Sequence, residues 1–176
     1  MDFGLNDEHR MIVESVRSFV EEELYPHEEE VEATDHARPE LIEQIKQKSL
    51  EMGFYAANMP ESLGGGGLDT VSLTLLEREL GRASFALQYA VARPSNILQA
   101  CTGDQIENYL LPTIRGEKVD CLAMTEPGAG SDVRSMKCKA EKDGDDYVIN
   151  GIKHFISHAD VADYVILFAA TGEEET

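Results

Sequence analysis

Near Glu117 the hydrophobic pattern of the chain changes period, and that change limits what it can fold into. Before it, apolar residues recur at helical spacing; after it, short apolar runs alternate with turn residues, as in strands. Met11, Ile12, Val16, Phe19, Val20 and Leu24 form the first helical stripe, with Asn6 placed to cap it. The acidic run Glu28–Glu30, just after Pro26, reads as a solvated face. A second helix is expected from Pro39, a tolerated first-turn position, to Gly53, with Leu41, Ile42, Ile45 and Leu50 as its stripe. Asp69 can cap a third, through Val71, Leu73, Leu75, Leu76 and Leu80 and on past Phe85, until Pro94 breaks the stretch Tyr89–Asn96. A fourth begins near Asp104 and carries Ile106, Tyr109 and Leu110. Pro60–Gly67 ends in four glycines with no Gly-Lys-Ser/Thr after them, so it reads as a surface connection rather than a phosphate loop.

Beyond Glu117, Val119–Met124 has the texture of a strand, and Asp143–Asp146 that of a turn before Tyr147-Val148-Ile149. Asn150-Gly151 is the strongest short hairpin signal, and Val161 to Ala170 adds a further apolar strand. The expected fold class is α+β: an all-α helical domain over residues 1–118, then the beginning of a β domain over 119–176. Roughly 55 residues supply only a few strands, with exposed edges, and the chain ends in a polar stretch directly after a strand. More chain is therefore expected after Thr176.

With 15 basic and 34 acidic residues the formal charge is −19. Phosphate and anionic-lipid surfaces repel such a chain, so neither nucleic acid nor membrane is an expected partner. Cys101, Cys121 and Cys138 are odd in number and form no CxxC pair, which fits a reducing compartment. The acidic start lacks the apolar run of a signal peptide and no segment reaches membrane-span length, so a cytoplasmic location is expected.

Chemistry concentrates in Thr125-Glu126-Pro127-Gly128-Ala129-Gly130-Ser131-Asp132. It is no Walker loop, and Val133 stands where a Rossmann fingerprint needs its third glycine. A tight turn with Asp132 capping local amides is the plain reading. The glycines would also let backbone N–H groups approach an anion, with Thr125 and Ser131 adding hydroxyls. Glu126 and Asp132 flank a turn with no aromatic pocket in view, which disfavours an acid/base pair. Gly151-Ile152-Lys153-His154-Phe155-Ile156-Ser157 alternates like a strand and ends in another hydroxyl. In a strand His154 and His158 lie about 13 Å apart, too far to share one ion, so no metal site is expected.

The Pro-Glu…Gly-Gly loop at 60–67, the Thr-Glu-Pro run and Asn150-Gly151-x-Lys153, in this order and spacing, resemble the acyl-CoA dehydrogenase family. That resemblance implies an N-terminal helical domain, a middle β-barrel and a C-terminal helical bundle, of which this chain carries the first and the start of the second. It also implies FAD, with Leu122 to Ser131 along the flavin, Met124 and Thr125 at its pyrimidine edge, Gly130 and Ser131 toward the phosphates and Ser131 also against acyl-CoA. Phe155-Ile156-Ser157 match the family's Trp-Ile-Thr, whose hydroxyl meets flavin N5. The departures (Phe for Trp, Ser for Thr, and His158 where Asn is common) bear on tuning and substrate subclass.

The implied reaction removes a proton from Cα of an acyl thioester and passes hydride from Cβ to flavin. Its glutamate base lies, in most members, in the C-terminal domain, so no catalytic residue is expected in this chain. Arg93, in the segment Tyr89–Ile97 that would line the acyl pocket, either faces solvent or meets a polar acyl group. Implied partners are an acyl-CoA, an electron-transfer flavoprotein and further copies of the chain in a homotetramer. Rival readings are an oxidase, a monooxygenase or an enoyl-CoA reductase on the same fold, a DNA-associated relative, and an acidic interaction module without flavin.

Overall fold

Asn6 opens the first helix, its Oδ1 accepting from His9 N at 2.7 Å, ahead of α1 (Asp7–Phe19). The computed structural model describes residues 4–91 and 93–172, in two compact units divided between Glu117 and Lys118.

In the first unit, α1 runs on through a π-type turn (Val20–Leu24) into a tight turn at Tyr25–His27, where Pro26 has no N–H to continue the ladder. Then follow α2 (Glu28–Thr34), closed by Asp35 at φ 58°, and α3 (Pro39–Glu51), with Pro39 in its first turn and Gly53 at φ 72° just beyond its end. Asp69 caps α4 (Thr70–Leu80) by accepting from Ser72 N at 2.9 Å.

That helix does not continue past Phe85 as its pattern suggests. Ser84 N, which would bond to Leu80 O in a continuing helix, instead donates to Glu28 Oε1 at 2.7 Å. A separate short helix, α5 (Phe85–Gln88), restarts the chain. Glu28 is correspondingly half-buried, so the acidic run is not wholly a solvated face. The last helical stretch is a π-type turn (Ile106–Leu110) leading into α6 (Leu111–Ile114). Pro112 removes one ladder donor there, and Thr113 Oγ1 donates to Tyr109 O at 2.7 Å.

The core gathers Val16, Phe19, Val20 and Leu24 with Leu41 and Ile45 of α3, Leu76 and Leu80 of α4, and Leu87 of α5. Each is exposed by 3% or less, which is worth about 1.5–3 kcal/mol per large side chain. Phe19 meets Phe54 edge to face at 5.4 Å. Glu79 is buried among these helices and is held by Arg17 across from α1 (3.1 Å), by Arg78 (2.7 Å) and by Arg82 (3.5 Å).

The glycine run is not a loose connection. Gly66 N donates to Ala56 O (3.1 Å), Gly67 N to Met59 O (2.8 Å) and Leu68 N to Ala57 O (2.9 Å). A Cβ on Gly65 would lie 2.3 Å from Met59 O, so close packing is what this position demands.

In the second unit, β1 (Asp120–Ala123) pairs in parallel with β4 (Tyr164–Leu167), Cys121 opposite Val165. The strand expected over 161–170 is thus shorter: turns occupy residues 157–161, a bend falls at Asp163, and only an isolated bridge at Ala170 follows β4. β2 (Lys139–Asp143) pairs antiparallel with β3 (Asp146–Asn150), closed by a two-residue turn whose Gly144 has φ 63°. Asn150-Gly151 makes no hairpin turn: Asn150 still pairs with Lys139. Gly151 instead passes so near Cys138 that a Cβ would sit 2.6 Å from its Cα. Ala170 joins the two sheets, its N donating to Cys138 O and its O accepting from Ala140 N, both at 2.9 Å. Tyr147, Val148 and Ile149 remain 56%, 47% and 51% exposed on β3.

Candidate functional site

Two segments meet at the end of β1. The strand carries Leu122, 39% exposed, and delivers the chain into the Thr-Glu-Pro turn, with Phe168 N donating to Ala123 O at 3.0 Å beside it. The returning segment 151–157 docks there through His154 N, which donates to Thr125 O at 3.0 Å. It also docks through Lys153 Nζ, which donates to Met124 O at 2.9 Å and to Glu126 Oε1 at 2.8 Å. The side chains of Lys153 and Glu126 are only 9% and 5% exposed.

Glu126 organises the turn. Its backbone exchanges hydrogen bonds with Ala129, N to O at 3.0 Å and the reverse at 3.2 Å, which closes the turn over Pro127-Gly128. Its carboxylate accepts from Lys137 N at 2.6 Å and Cys138 N at 2.9 Å, in addition to Lys153. The Lys153 hydrogen bond and these backbone donors outweigh desolvation and hold its pKa down, from 4.5 to about 2. A carboxylate so committed and so acidic is a poor general base, which disposes of the Glu126–Asp132 acid/base idea. The Asp132 carbonyl, rather than its side chain, accepts from Ser135 N (3.2 Å) and Oγ (2.9 Å), so the turn forms without the side-chain cap expected of Asp132.

Gly130 and Ser131 are exposed. Gly128 and Gly130 adopt no positive φ, and a Cβ on either would meet nothing within 4 Å. Neither glycine is therefore forced by the fold, unlike Gly65 or Gly151.

The segment 151–157 is no strand, contrary to its alternation. Phe155 takes a left-handed conformation, φ 56°, and stands 87% exposed with its ring 4.1 Å from that of His154. Ile156 is half-buried, and Ser157 is exposed at the start of the turns that follow. His158 is also left-handed at φ 63°, so the chain does bend between the two histidines. Among the described residues, no group of three or more His, Cys, Asp or Glu converges as metal ligands. In the first unit, Arg93 pairs with Glu77 at 3.1 Å and is about half exposed. No described helix is long and apolar enough to cross a membrane.

Comparisons to known proteins give the family of the chain. Residues 6–117 match the acyl-CoA dehydrogenase N-terminal domain and residues 121–176 the middle domain of the same enzymes. The chain belongs to the acyl-CoA dehydrogenase family. Benzylmalonyl-CoA dehydrogenase of Aromatoleum aromaticum is 37% identical over 99% of this chain and 47% of its own length. The caffeyl-CoA reductase-Etf complex subunit CarC of Acetobacterium woodii is 36% identical over 94% of this chain and 44% of its own. A crystal structure of an acyl-CoA dehydrogenase complexed with FAD from Bacillus anthracis superposes with a TM-score of 0.77 at 30% identity, over 94% of this chain and 29% of that one. The chain spans less than half the length of these curated relatives.

Within this family frame, two residues that the sequence left without a role, Lys153 and Glu126, hold the site's segments together. The one signal for them was a lysine inside Asn150-Gly151-x-Lys153 and a glutamate inside Thr-Glu-Pro. Their separation of 27 positions hides the pairing from any local pattern.

Proposed function

We propose that the chain forms part of the FAD site of an enzyme that dehydrogenates an acyl-CoA thioester between Cα and Cβ. The observation that carries this is the docking of segment 151–157 on Met124 and Thr125, through Lys153 and His154, in a chain of this family.

The residues suit a flavin nucleotide. Phe155 offers a broad apolar surface, Ser131 and Ser157 offer exposed hydroxyls, and the space over Gly128 and Gly130 is open to a phosphate. In this reading Leu122 lies along the flavin, with Met124 and Thr125 at its pyrimidine edge. Gly130 and Ser131 meet the phosphates, Ser131 also borders the acyl-CoA, and Phe155, Ile156 and Ser157 flank the reacting face. Bound FAD would supply hydride acceptance at N5, with the Ser157 hydroxyl as the hydrogen-bonding group there. Fixed donors near Met124 and Thr125 would favour the negative charge of the reduced ring. The base is assigned to none of these residues, since Glu126 is committed to its turn. An acyl-CoA substrate, electron transfer to an electron-transfer flavoprotein, and a homotetrameric, cytoplasmic enzyme of fatty-acid metabolism complete the proposal.

A second reading keeps the site and reverses the net reaction, reducing an enoyl-CoA. The likeness to the caffeyl-CoA reductase subunit favours it. Anaerobic visible spectra of the protein as it occurs separate the two. A flavin spectrum bleached by saturated acyl-CoAs supports dehydrogenation. A reduced flavin that is reoxidised by enoyl-CoAs, but not formed by acyl-CoAs, supports the reductase. A protein without flavin absorbance refutes both.

A further inference from the structure

Glu126 and Lys153 form a charge pair with almost no access to water, their side chains 5% and 9% exposed. Such a pair is costly to bury, and replacing it by apolar residues is often neutral or stabilising for a fold. Its retention here calls for a reason other than stability, and its connections suggest one.

The bonds of the pair tie the two segments of the proposed flavin site to each other and to the entry of β2. Lys153 Nζ donates to Met124 O at 2.9 Å, at the exit of β1. The next residue, His154, donates its N to Thr125 O at 3.0 Å, and Phe155 turns left-handed immediately after. On the other side, Glu126 receives Lys137 N (2.6 Å) and Cys138 N (2.9 Å), where the chain leaves the turn and enters β2. Cys138 in turn is the residue against which Gly151 packs, two positions before Lys153. The pair thus closes a ring of contacts through residues 124–126, 137–138 and 151–154.

We propose that Glu126 is a positioning residue that acts through Lys153, setting the distance between the Met124–Thr125 edge and the Phe155–Ser157 arm and leaving the flavin's surroundings electrically balanced. This rests on the flavin site proposed above. Replacing Glu126 leaves a buried ammonium beside Met124; replacing Lys153 leaves a buried carboxylate in the turn. The two changes loosen the same link but place opposite charges behind the pyrimidine edge.

The test uses the whole protein, its E126Q and K153M variants, and the double variant. FAD affinity is titrated into each apoprotein, and the midpoint potential and visible circular dichroism of each holoprotein are recorded. Each single variant is expected to weaken FAD binding by about tenfold or more, since an ångström of misplacement in such a site is expensive. The double variant should lose no more than the worse single one, because both break one link. The potential should rise in E126Q and fall in K153M. A pair that mattered only for folding would leave affinity and potential unchanged, or move both potentials the same way, and either result overturns the proposal. K153M is the gentler variant, because Glu126 keeps its two backbone donors. If neither single variant folds, the pair serves the fold and the proposal fails. If the unaltered protein binds no FAD, the flavin reading itself falls, an outcome distinct from unchanged affinity in the variants.

Discussion

Gly151→Ala is the sharpest test of the way the second unit is assembled. A Cβ built there lies 2.6 Å from both Cα and Cβ of Cys138 and 2.7 Å from its Sγ. Ordinary contact between such atoms is about 3.5–4 Å, so one of the two segments must retreat by about 1 Å. Cys138 is poorly placed to yield. Its N donates to Glu126 at 2.9 Å, its O accepts from Ala170 N at 2.9 Å, and the next residue already pairs with Asn150. Overpacking of this kind costs about 1–3 kcal/mol, and a backbone obstacle argues for the upper end. Alanine restricts the unfolded chain and returns about 0.4–1 kcal/mol. The expected net loss is therefore about 2 kcal/mol. Urea denaturation followed by tyrosine fluorescence measures it as a lowered midpoint at constant slope. Gly128→Ala is the matched control: nothing lies within 4 Å of its Cβ and its φ is not positive, so a change under about 0.5 kcal/mol is expected. A Gly151→Ala protein within about 0.5 kcal/mol of the parent would refute the close approach of segment 151–157 to β2.

Other outcomes follow from the same geometry. Gly65→Ala, with its Cβ 2.3 Å from Met59 O, should cost about 3 kcal/mol in the same urea experiment, and a neutral result would show the glycine run to be a loose loop after all. Asn6→Ala removes the cap on His9 N and should cost about 1 kcal/mol, read as a lowered melting temperature. Glu126 has its folded pKa depressed to about 2 from 4.5, so its ionised form favours the folded state. That contribution is complete above about pH 5 and is lost as the pH falls toward 2. The melting-temperature gap between the parent and E126Q should therefore close on acidification, and a gap that widens would contradict the pairing. Gly130→Ala should leave stability within about 0.5 kcal/mol yet weaken FAD binding if phosphate approaches the backbone there. Unchanged affinity would move the phosphate site elsewhere.

Helices were legible where a single local rule governed them. Asn6 and Asp69 capped as their side chains allow, Pro39 opened α3, and Gly53 lay just beyond its end, all within a few residues of the signal. The failures share a cause. The extension of α4 past Phe85 was cut by Glu28, 56 positions away, taking Ser84 N. Asn150-Gly151 had the composition of a hairpin turn, but Gly144-Asp145 had already closed the hairpin and Cys138 filled the space beside Gly151. Segment 151–157 alternated like a strand, yet His154 N found Thr125 O and Phe155 turned left-handed.

The sequence alone therefore determined the class of the two parts, the family, and which segments bear the site's hydroxyls and glycines. These depend on hydrophobic period, capping chemistry and motif, each confined to a few neighbouring residues. Only the tertiary structure decided how those segments are joined: which glycines lack room for a Cβ, and that Glu126 is an anchor rather than an acid. It also showed that Lys153, with no role readable from its own neighbourhood, bridges Met124 and Glu126. A buried ion pair forms between residues that meet only after folding, and its energy depends on an environment that no local pattern encodes.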